Sequence, residues 1–195
     1  HRVTVVTSTN PGEGKSTVAI NLAAALAQME NVLLIDADLR RPSVATAFKL
    51  PGGTPGLSNV LALSAQLQDC VQSTDAGFDV LPAGILPPNP QEMLATAQFR
   101  NLVLELAQQY DRIVIDSAPI NAVSDSLILA TVADSLVYVA KADETPLKLV
   151  LKNINLIKHS NLPLTGVVLN RMDTKKQRAY GKGSYYGAYD AYGQG

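Results

Sequence analysis

One short segment combines the residue types that bind phosphate. TSTNPGEGKST spans residues 7–17, between a run of β-branched residues and a helical pattern. Glycines let backbone N–H groups turn toward an anion, a lysine adds charge for the outer phosphates, and a serine hydroxyl can reach a magnesium ion. The sequence therefore predicts a nucleotide-binding loop formed by Asn10, Pro11, Gly12, Glu13, Gly14, Lys15, Ser16 and Thr17.

This loop departs from the standard pattern GxxxxGK[ST] at one position, since Thr9 stands where the first glycine is expected. The alternative interpretation is a glycine-rich turn that is followed by Lys-Ser-Thr by chance. A strand-like segment before the loop and a helical pattern after it are the context that phosphate binding requires. That context favours the nucleotide-binding interpretation.

Three carboxylates follow two other predicted strands. LLIDADLRRP places Asp36 and Asp38 at one strand end, and IVIDSAP places Asp116 at another, in the Walker B arrangement for holding magnesium. Any one of them could be a turn or a helix cap, but three beside a phosphate loop indicate a reaction centre. We expect catalytic roles for Lys15 and the three aspartates, and metal contacts from Ser16, Asp36 and Asp116.

A polar motif, LNRMD, covers residues 169–173 after the last predicted strand. Its NxxD spacing matches a guanine-reading motif, but that motif has lysine where Arg171 stands. Asn170 could instead bind the adenine edge. The sequence leaves the base open with a weak preference for ATP, and it predicts that Asn170 and Arg171 contact the nucleotide.

Strand-like and helix-like segments alternate, which predicts a mostly parallel central sheet with helices on both faces. The expected fold class is α/β, a three-layer sandwich of the P-loop NTPase type. Predicted strands cover residues 3–8, 31–38, 77–84, 111–119, 135–141 and 164–173. Predicted helices cover 16–29, 90–110, 123–133 and 145–160, with short helices or turns in 42–77. Asn89 is expected to cap the second helix, with Pro90 in its first turn and Glu92 completing a capping box.

Composition narrows the class of protein. The 195 residues carry a net charge of −1, so no overall field favours nucleic acid, and no apolar run approaches the roughly 18 residues of a membrane helix. A single cysteine cannot form a disulfide framework within the chain, which fits a reducing compartment. Because the chain starts at His1 directly before a predicted strand, we expect a fragment of a longer protein.

Tyrosines are concentrated at the end of the chain. Five of the seven fall in KKQRAYGKGSYYGAYDAYGQG, where Gly, Ser, Ala and Lys separate them. With almost no aliphatic side chains to bury, this segment is expected to form a flexible tail over 174–195, after a domain over 1–173. On its own, such a tail could be a disordered end that contacts a partner. Its tyrosines are Tyr180, Tyr185, Tyr186, Tyr189 and Tyr192.

Together these motifs resemble the bacterial tyrosine kinases of exopolysaccharide and capsule export. PGEGKST, LLIDADLRRP, IVIDSAP and the tyrosine cluster carry the resemblance, and GLSNVL, NPQEMLATAQF and GVVLN extend it over nearly the whole chain. It implies a protein-tyrosine autokinase that uses ATP and Mg²⁺. Lys15 would bind the phosphates, Ser16 and Asp116 would serve the magnesium, and the tail tyrosines would accept phosphate in a neighbouring subunit's site.

The resemblance also implies partners and a location. It predicts a homo-oligomeric ring, an inner-membrane regulator of polysaccharide chain length that is fused or separate, and a cognate tyrosine phosphatase, without a nucleic-acid partner. The domain would act at the cytoplasmic face of a bacterial inner membrane. Asp38 is the expected partner of the attacking phenol and Asp36 the expected support of the metal, although the two roles could be exchanged.

A nucleotide-switched ATPase of the partitioning or division-site type, which transfers no phosphate to protein, is the main alternative. Those proteins carry a second lysine early in the loop, in the pattern KGGxGK, and Asn10 stands at that position here. Asparagine cannot supply the positive charge. The sequence therefore favours the kinase.

Overall fold

The computed structural model describes residues 2–173 of the 195-residue chain. His1 and residues 174–195 lie outside the described part, and with them the predicted tail and its five tyrosines. None of the helices within residues 2–173 combines the length and the apolar character that spanning a bilayer requires.

The middle layer of the fold is a seven-stranded sheet. Its strands are β1 (Val3–Ser8), β2 (Val32–Asp36), β3 (Gln72–Ser73), β4 (Asp79–Leu81), β5 (Arg112–Asp116), β6 (Ser135–Lys141) and β7 (Leu164–Asn170). Their order across the sheet is β3-β4-β2-β5-β1-β6-β7, and β3 alone among them runs antiparallel to its neighbour. The inner strands are rich in Val, Ile and Leu, as is typical of strands whose two faces are both covered by helices.

Helices form the two outer layers. They are α1 (Lys15–Leu26), α2 (Val44–Ala47), α3 (Leu57–Leu61), α4 (Leu67–Cys70), α5 (Pro90–Leu94), α6 (Ala97–Gln109), α7 (Asp125–Ala130) and α8 (Leu147–His159). Small side chains such as Ala19 and Ala23 let α1 lie close to one face of the sheet, where Val44 of α2 joins it. The remaining helices bury a larger cluster on the opposite face. The predicted three-layer α/β fold is therefore confirmed.

The prediction of a single helix over 90–110 is wrong, because the structure has two helices there, α5 and α6. Thr96 starts the second helix, since its hydroxyl accepts a hydrogen bond from the Phe99 amide at 3.2 Å and so caps it. Pro90 does open α5 directly after Asn89, as predicted. The capping box does not form there, and the Asn89 side-chain amide donates instead to the Glu92 carboxylate at 3.1 Å.

Several strands are shorter than predicted at their carboxyl ends. β2 ends at Asp36 rather than at residue 38, β5 at Asp116 rather than 119, and β7 at Asn170 rather than 173. In each case the chain leaves the sheet at a polar residue. These residues therefore lie at the edge of the sheet where ligands bind in folds of this class.

Candidate functional site

The candidate site lies at the carboxyl ends of three adjacent parallel strands, β2, β5 and β1. Asp36 and Asp116 are register partners, and Val6 of β1 lies opposite Asp116 on the other side of β5. The phosphate-binding segment follows β1 directly and leads into α1. The topology therefore brings together the three motifs that the sequence places far apart.

A cavity of about 490 Å³ opens at this edge, within the size range of small-molecule sites. Its wall combines the glycine-rich loop with a group of cationic side chains and one carboxylate. The lining residues are Pro11, Gly12, Gly14, Lys15, Ser16, Thr17, Asp38, Arg40, Arg41, Ser43, Ala118, Pro119, Ala122 and Arg171. Four positive side chains in one cavity favour a polyanionic ligand.

Glycine shapes the loop at two positions. Gly12 and Gly14 have φ angles of +84° and +90°, which side-chain-bearing residues rarely adopt. Gly14 is also the N-cap of α1, and because it has no side chain, no side-chain cap covers the first turn of that helix. The first turn of α1 lines the cavity, and its N–H groups without intrahelical acceptors are suited to an anion there.

Lys15 is the central charge of the site. Its ammonium lies 2.9 Å from the Asp38 carboxylate, 3.4 Å from that of Asp116 and 3.2 Å from the Ser16 hydroxyl. Burial lowers the pKa of Lys15, but the charges of Asp116 and Asp38 outweigh burial, so its pKa is raised overall. The lysine is therefore held as a cation, and two carboxylates fix its position.

Asp116 and Ser16 fit a divalent metal. Asp116 is fully buried, and its Oδ2 atom accepts no hydrogen bond from the described residues, while Lys15 donates to Oδ1. A buried carboxylate oxygen without a donor is unusual unless an ion or water completes it. Burial raises the pKa of Asp116, and Lys15 and the Ser16 hydroxyl oppose that shift. Magnesium binds through one or two protein oxygens of this kind together with phosphates.

Asp36 has a different environment from the other two aspartates. One of its oxygens accepts the Asp38 amide at 3.2 Å, and the other accepts the amides of Ser43 and Val44, both at 3.0 Å. Burial, and then the charge of Asp116, raise its pKa to about 7. Since both oxygens serve backbone amides and Asp36 does not line the cavity, the structure favours a positioning role over the metal contact predicted from the sequence.

The Glu13 carboxylate holds the phosphate-binding loop in place through hydrogen bonds. Its Oε2 atom accepts the amides of Thr9 and Asn10 at 2.7 and 3.0 Å, and its Oε1 atom accepts the Thr145 hydroxyl at 2.6 Å. The side chain is 4% exposed and lies outside the cavity. The sequence placed Glu13 among the nucleotide-binding residues, whereas the structure gives its carboxylate the task of shaping the loop.

Thr9 and Asn10 belong to a polar network beneath the loop. The Thr9 hydroxyl bonds to the Tyr138 hydroxyl, which also accepts the Asn153 amide at 3.0 Å. Asn153 donates to Asn121 at 3.2 Å, and Asn121 donates to the Asn10 side chain at 3.2 Å. This explains why threonine can replace the first glycine of the pattern. It also directs the Asn10 side chain at Asn121 rather than into the cavity, and the predicted nucleotide contact of Asn10 stays a prediction.

The residues after β7 close the loop from above. The Asn170 side chain donates to the Glu13 carbonyl at 2.9 Å, and Arg171 lines the cavity with a φ of +55°. A Cβ atom on Gly14 would lie 2.2 Å from Nδ2 of Asn170. Both residues therefore lie beside the loop, and their nucleotide contacts stay a prediction. A glycine is required at position 14 by space as well as by its backbone angle.

Several residues of the site were not assigned roles from the sequence, among them Arg40 and Asp125. Arg40 lines the cavity and forms a two-pronged pair with Asp125, from Nε to Oδ2 at 2.8 Å and from Nη2 to Oδ1 at 3.2 Å. Asp125 is fully buried at the start of α7. The motif LLIDADLRRP makes Arg40 recognisable as a candidate site residue. Asp125 lies 85 residues away, and no motif in the sequence indicates that it pairs with Arg40.

Fold and site together define a class of protein. Residues 1–190 match a ParA-group family model described as the NUBPL iron-transfer P-loop NTPase. The septum site-determining protein MinD of Pyrococcus horikoshii OT3 has the same fold, with a TM-score of 0.74, 24% identity and coverage of 89% of this chain and 71% of that one. The chain thus has the P-loop NTPase fold, whose members bind a nucleotide with a divalent metal.

More similar proteins narrow the class further. The tyrosine-protein kinase YwqD of Bacillus subtilis (strain 168) is 41% identical over 97% of this chain and 79% of its own length. The VpsO kinase domain superposes with a TM-score of 0.86 at 42% identity, covering 88% of this chain and 85% of that one. The chimeric protein CapA2B2 gives 0.84 at 39% identity, covering 88% and 76%. The chain therefore belongs to the bacterial tyrosine kinases, enzymes of capsule and exopolysaccharide systems, as the sequence motifs predicted.

Proposed function

We propose that this domain transfers the γ-phosphoryl group of ATP to tyrosines of its own carboxyl-terminal segment, residues 174–195. Transfer occurs between subunits, and it regulates polymerisation and export of an exopolysaccharide or capsule. The observation that carries the proposal is the position of Lys15, which lies between Asp38 on the cavity wall and Asp116 beneath it. One cation there can neutralise a phosphoryl group between a metal-binding side and an acceptor side.

The phosphates are bound by the loop and by the cationic wall. The first-turn amides of α1 and the Lys15 ammonium contact the outer phosphates, and on binding the lysine exchanges part of its contact with Asp38 for phosphate oxygens. Arg40, Arg41 and Arg171 supply further positive charge around the cavity. Asn170, held beside Gly14 by its bond to the Glu13 carbonyl, is the proposed contact of the adenine.

Ser16 and Asp116 would hold the magnesium ion, directly or through water. When bound, the ion would neutralise the charge that develops on the β- and γ-phosphates. The donor-free Oδ2 atom of Asp116 is the oxygen available for this contact. Asp36 supports the arrangement indirectly, because it fixes the backbone of residues 38–44 and, through them, the position of Asp38.

Asp38 is the proposed partner of the attacking phenol. A tyrosine has a pKa near 10 and is protonated at neutral pH, so its proton must leave during the transfer. A loose phosphoryl-transfer transition state needs little charge on the nucleophile, so alignment carries most of the rate. The Asp38 carboxylate faces the cavity and is held by the Arg41 amide at 3.0 Å, which suits it to align the phenol and accept its proton.

The acceptor segment has both the composition and the reach for this role. Tyr180, Tyr185, Tyr186, Tyr189 and Tyr192 are separated mostly by small residues, so each can be presented in turn. Ten residues separate Asn170 from Tyr180, at most roughly 33–36 Å when extended, which is enough to reach a neighbouring subunit. Several phosphates on one segment repel each other and nearby acids, so phosphorylation weakens subunit association.

The proposed partners follow from the family. They are other copies of this chain in a ring, an inner-membrane regulator of polysaccharide chain length, and a tyrosine phosphatase that resets the segment. The proposed location is the cytoplasmic face of a bacterial inner membrane.

Labelled ATP tests the proposal. The purified chain is incubated with γ-labelled ATP and Mg²⁺, and phosphotyrosine is mapped by mass spectrometry in the wild type, in Lys15→Met and in Lys158→Met, an exposed lysine far along α8. We expect label on the tail tyrosines of the wild type and Lys158→Met, and its loss in Lys15→Met. Phosphate release without labelled tyrosine would instead identify a nucleotide-switched ATPase.

A further inference from the structure

The open edge of the sheet carries an apolar groove that the phosphoryl-transfer site does not use. β7 is the last strand in the order, and within residues 2–173 it pairs with β6 alone. Between β7 and the first half of α8 lies a groove of about 490 Å³. Its apolar wall is formed by Leu147, Val150, Val167, Leu169 and Met172.

This groove leaves large side chains in water. Leu147 is 69% exposed, Leu169 55%, Val167 46% and Met172 44%. Single exposed apolar residues are ordinary, but a contiguous set around one concave surface marks a binding site. An occupant with apolar side chains would therefore gain free energy there.

The chain itself supplies the nearest candidate occupant. Met172 and Asp173 are the last described residues and both line the groove, so residue 174 follows directly from its wall. Tyr180 is seven residues beyond Asp173, at most roughly 23–25 Å in extended chain. That length allows the segment to fold back over the groove from which it leaves.

Charge complementarity favours the same occupant. Asp143, Asp173 and Lys141 line the groove, and Lys141 pairs with the adjacent Glu144, which leaves an excess of negative charge there. Between Asp173 and Tyr185 the chain carries four basic residues and no acid: Lys175, Lys176, Arg178 and Lys182. Tyrosine also suits a half-open apolar surface, because its ring can be buried while its hydroxyl stays in water.

We infer that the groove between α8 and β7 binds the unphosphorylated carboxyl-terminal segment of the same chain, with the Tyr180 ring against Val167 and Leu169. The groove is a resting site that keeps Tyr180 away from neighbouring subunits. A phosphate adds about −1.5 to −2 charge beside Asp143 and Asp173 and expels the segment. This last step rests on the proposed function, whereas binding of the unmodified segment does not.

Tyr180→Trp provides a reporter, because the chain contains no other tryptophan. The full chain with this substitution is compared with a synthetic peptide of residues 174–195 that carries the same tryptophan. Without ATP, we expect the emission maximum of the chain to be shifted to the blue of that of the peptide, at all protein concentrations. Adding Leu169→Gln should remove the shift. Leu104→Gln on α6 is the matched control, since Leu104 is 60% exposed and lies outside the groove, and it should leave the shift unchanged.

Three results would overturn the inference. Emission equal to that of the peptide would mean that Tyr180 does not occupy an apolar site. A shift that persists in Leu169→Gln would mean that the side chain at position 180 binds outside the groove. Circular dichroism of each variant checks that it is folded. A shift that disappears on dilution would assign the groove to a second copy of the chain. None of these measurements uses ATP, so their failure is distinct from failure of the kinase proposal.

Discussion

Asp36 and Asp116 lie opposite each other on neighbouring parallel strands, and both side chains are fully buried. Two adjacent carboxylates in a medium of low polarity oppose each other's ionisation. Asp36 pairs with backbone amides, whereas Asp116 pairs with Lys15 and has one oxygen without a donor among residues 2–173. Asp36, whose carboxylate shapes the site, therefore lies directly beside Asp116, whose carboxylate is suited to a metal.

This relationship predicts a pH dependence of stability. The pKa of Asp36 is raised from 3.8 to about 7, by burial first and by Asp116 second, so the folded state binds this proton more tightly than the unfolded state. The resulting contribution to stability is fully present below about pH 4 and is lost as the pH rises through about 7. In metal-free and nucleotide-free protein, Asp116→Asn should therefore lose less stability between about pH 5 and 8 than the wild type does.

Urea unfolding at intervals across this range measures the effect. Asp75→Asn makes the same chemical change on an exposed side chain and should keep the wild-type slope. Identical slopes in the wild type and Asp116→Asn would contradict the coupling of the two carboxylates.

The two aspartates of the DAD motif should separate in their effects. Asp38→Asn keeps an oxygen for the Arg41 amide and loses mainly the contact with Lys15, so we expect near-normal stability with autophosphorylation slower by about 100-fold or more. Asp36→Ala leaves three backbone amides without their acceptor, so stability and activity should fall together. Thermal melts and label incorporation measure both quantities. Normal stability in Asp36→Ala would refute the positioning role.

Glycines 12 and 14 form a matched pair in the loop. Both have positive φ, so alanine at either position should cost about 1–2 kcal/mol in backbone strain. A Cβ at Gly12 meets nothing within 4 Å, whereas at Gly14 it lies 2.2 Å from Asn170. Gly14→Ala should therefore lower the free energy of unfolding more than Gly12→Ala, and adding Asn170→Ala should remove part of the difference. Equal losses in the two single variants would show that the contact with Asn170 is unimportant.

Glu13 should matter for nucleotide affinity without contacting nucleotide. Glu13→Ala leaves the buried Thr9 amide and the partly buried Asn10 amide without an acceptor, at about 1–3 kcal/mol for the Thr9 amide, and should weaken ADP binding as well as stability. Glu13→Gln can keep an oxygen toward those amides and should have a smaller effect. Isothermal titration measures the affinity, and Glu105→Ala on the exposed face of α6 serves as the control. An ADP affinity unchanged in Glu13→Ala would indicate that the loop keeps its shape unaided.

What the sequence could predict was the local part of the structure. Runs such as VTVVTS and RIVID are strands because β-branched side chains pack well when buried on both faces, and their polar ends identified the edge of the site. Lys15, Ser16, Asp38 and Arg171 were placed at the cavity by motif spacing. The contacts of Asp36 with residues 43 and 44 depend on how the following loop turns, which no short pattern specifies.

Long-range contacts were beyond the reach of patterns. Thr9 and Tyr138 are 129 residues apart in the sequence. Their hydroxyls meet because β1 and β6 are neighbours in the sheet. The break between α5 and α6 was misjudged for a different reason. The apolar periodicity continues through Ala95, while the interruption comes from the single capping hydroxyl of Thr96.

The bonds that Glu13 and Thr9 make under the loop have a thermodynamic consequence. Because Thr145 and Tyr138 hold the loop from β6 and the segment that follows it, its shape is fixed when the protein folds. The entropy of ordering the loop residues is therefore lost when the protein folds and not when the nucleotide binds. Empty and loaded enzyme should share one loop conformation, so the rate at which nucleotide arrives is set by diffusion rather than by rearrangement of the cradle.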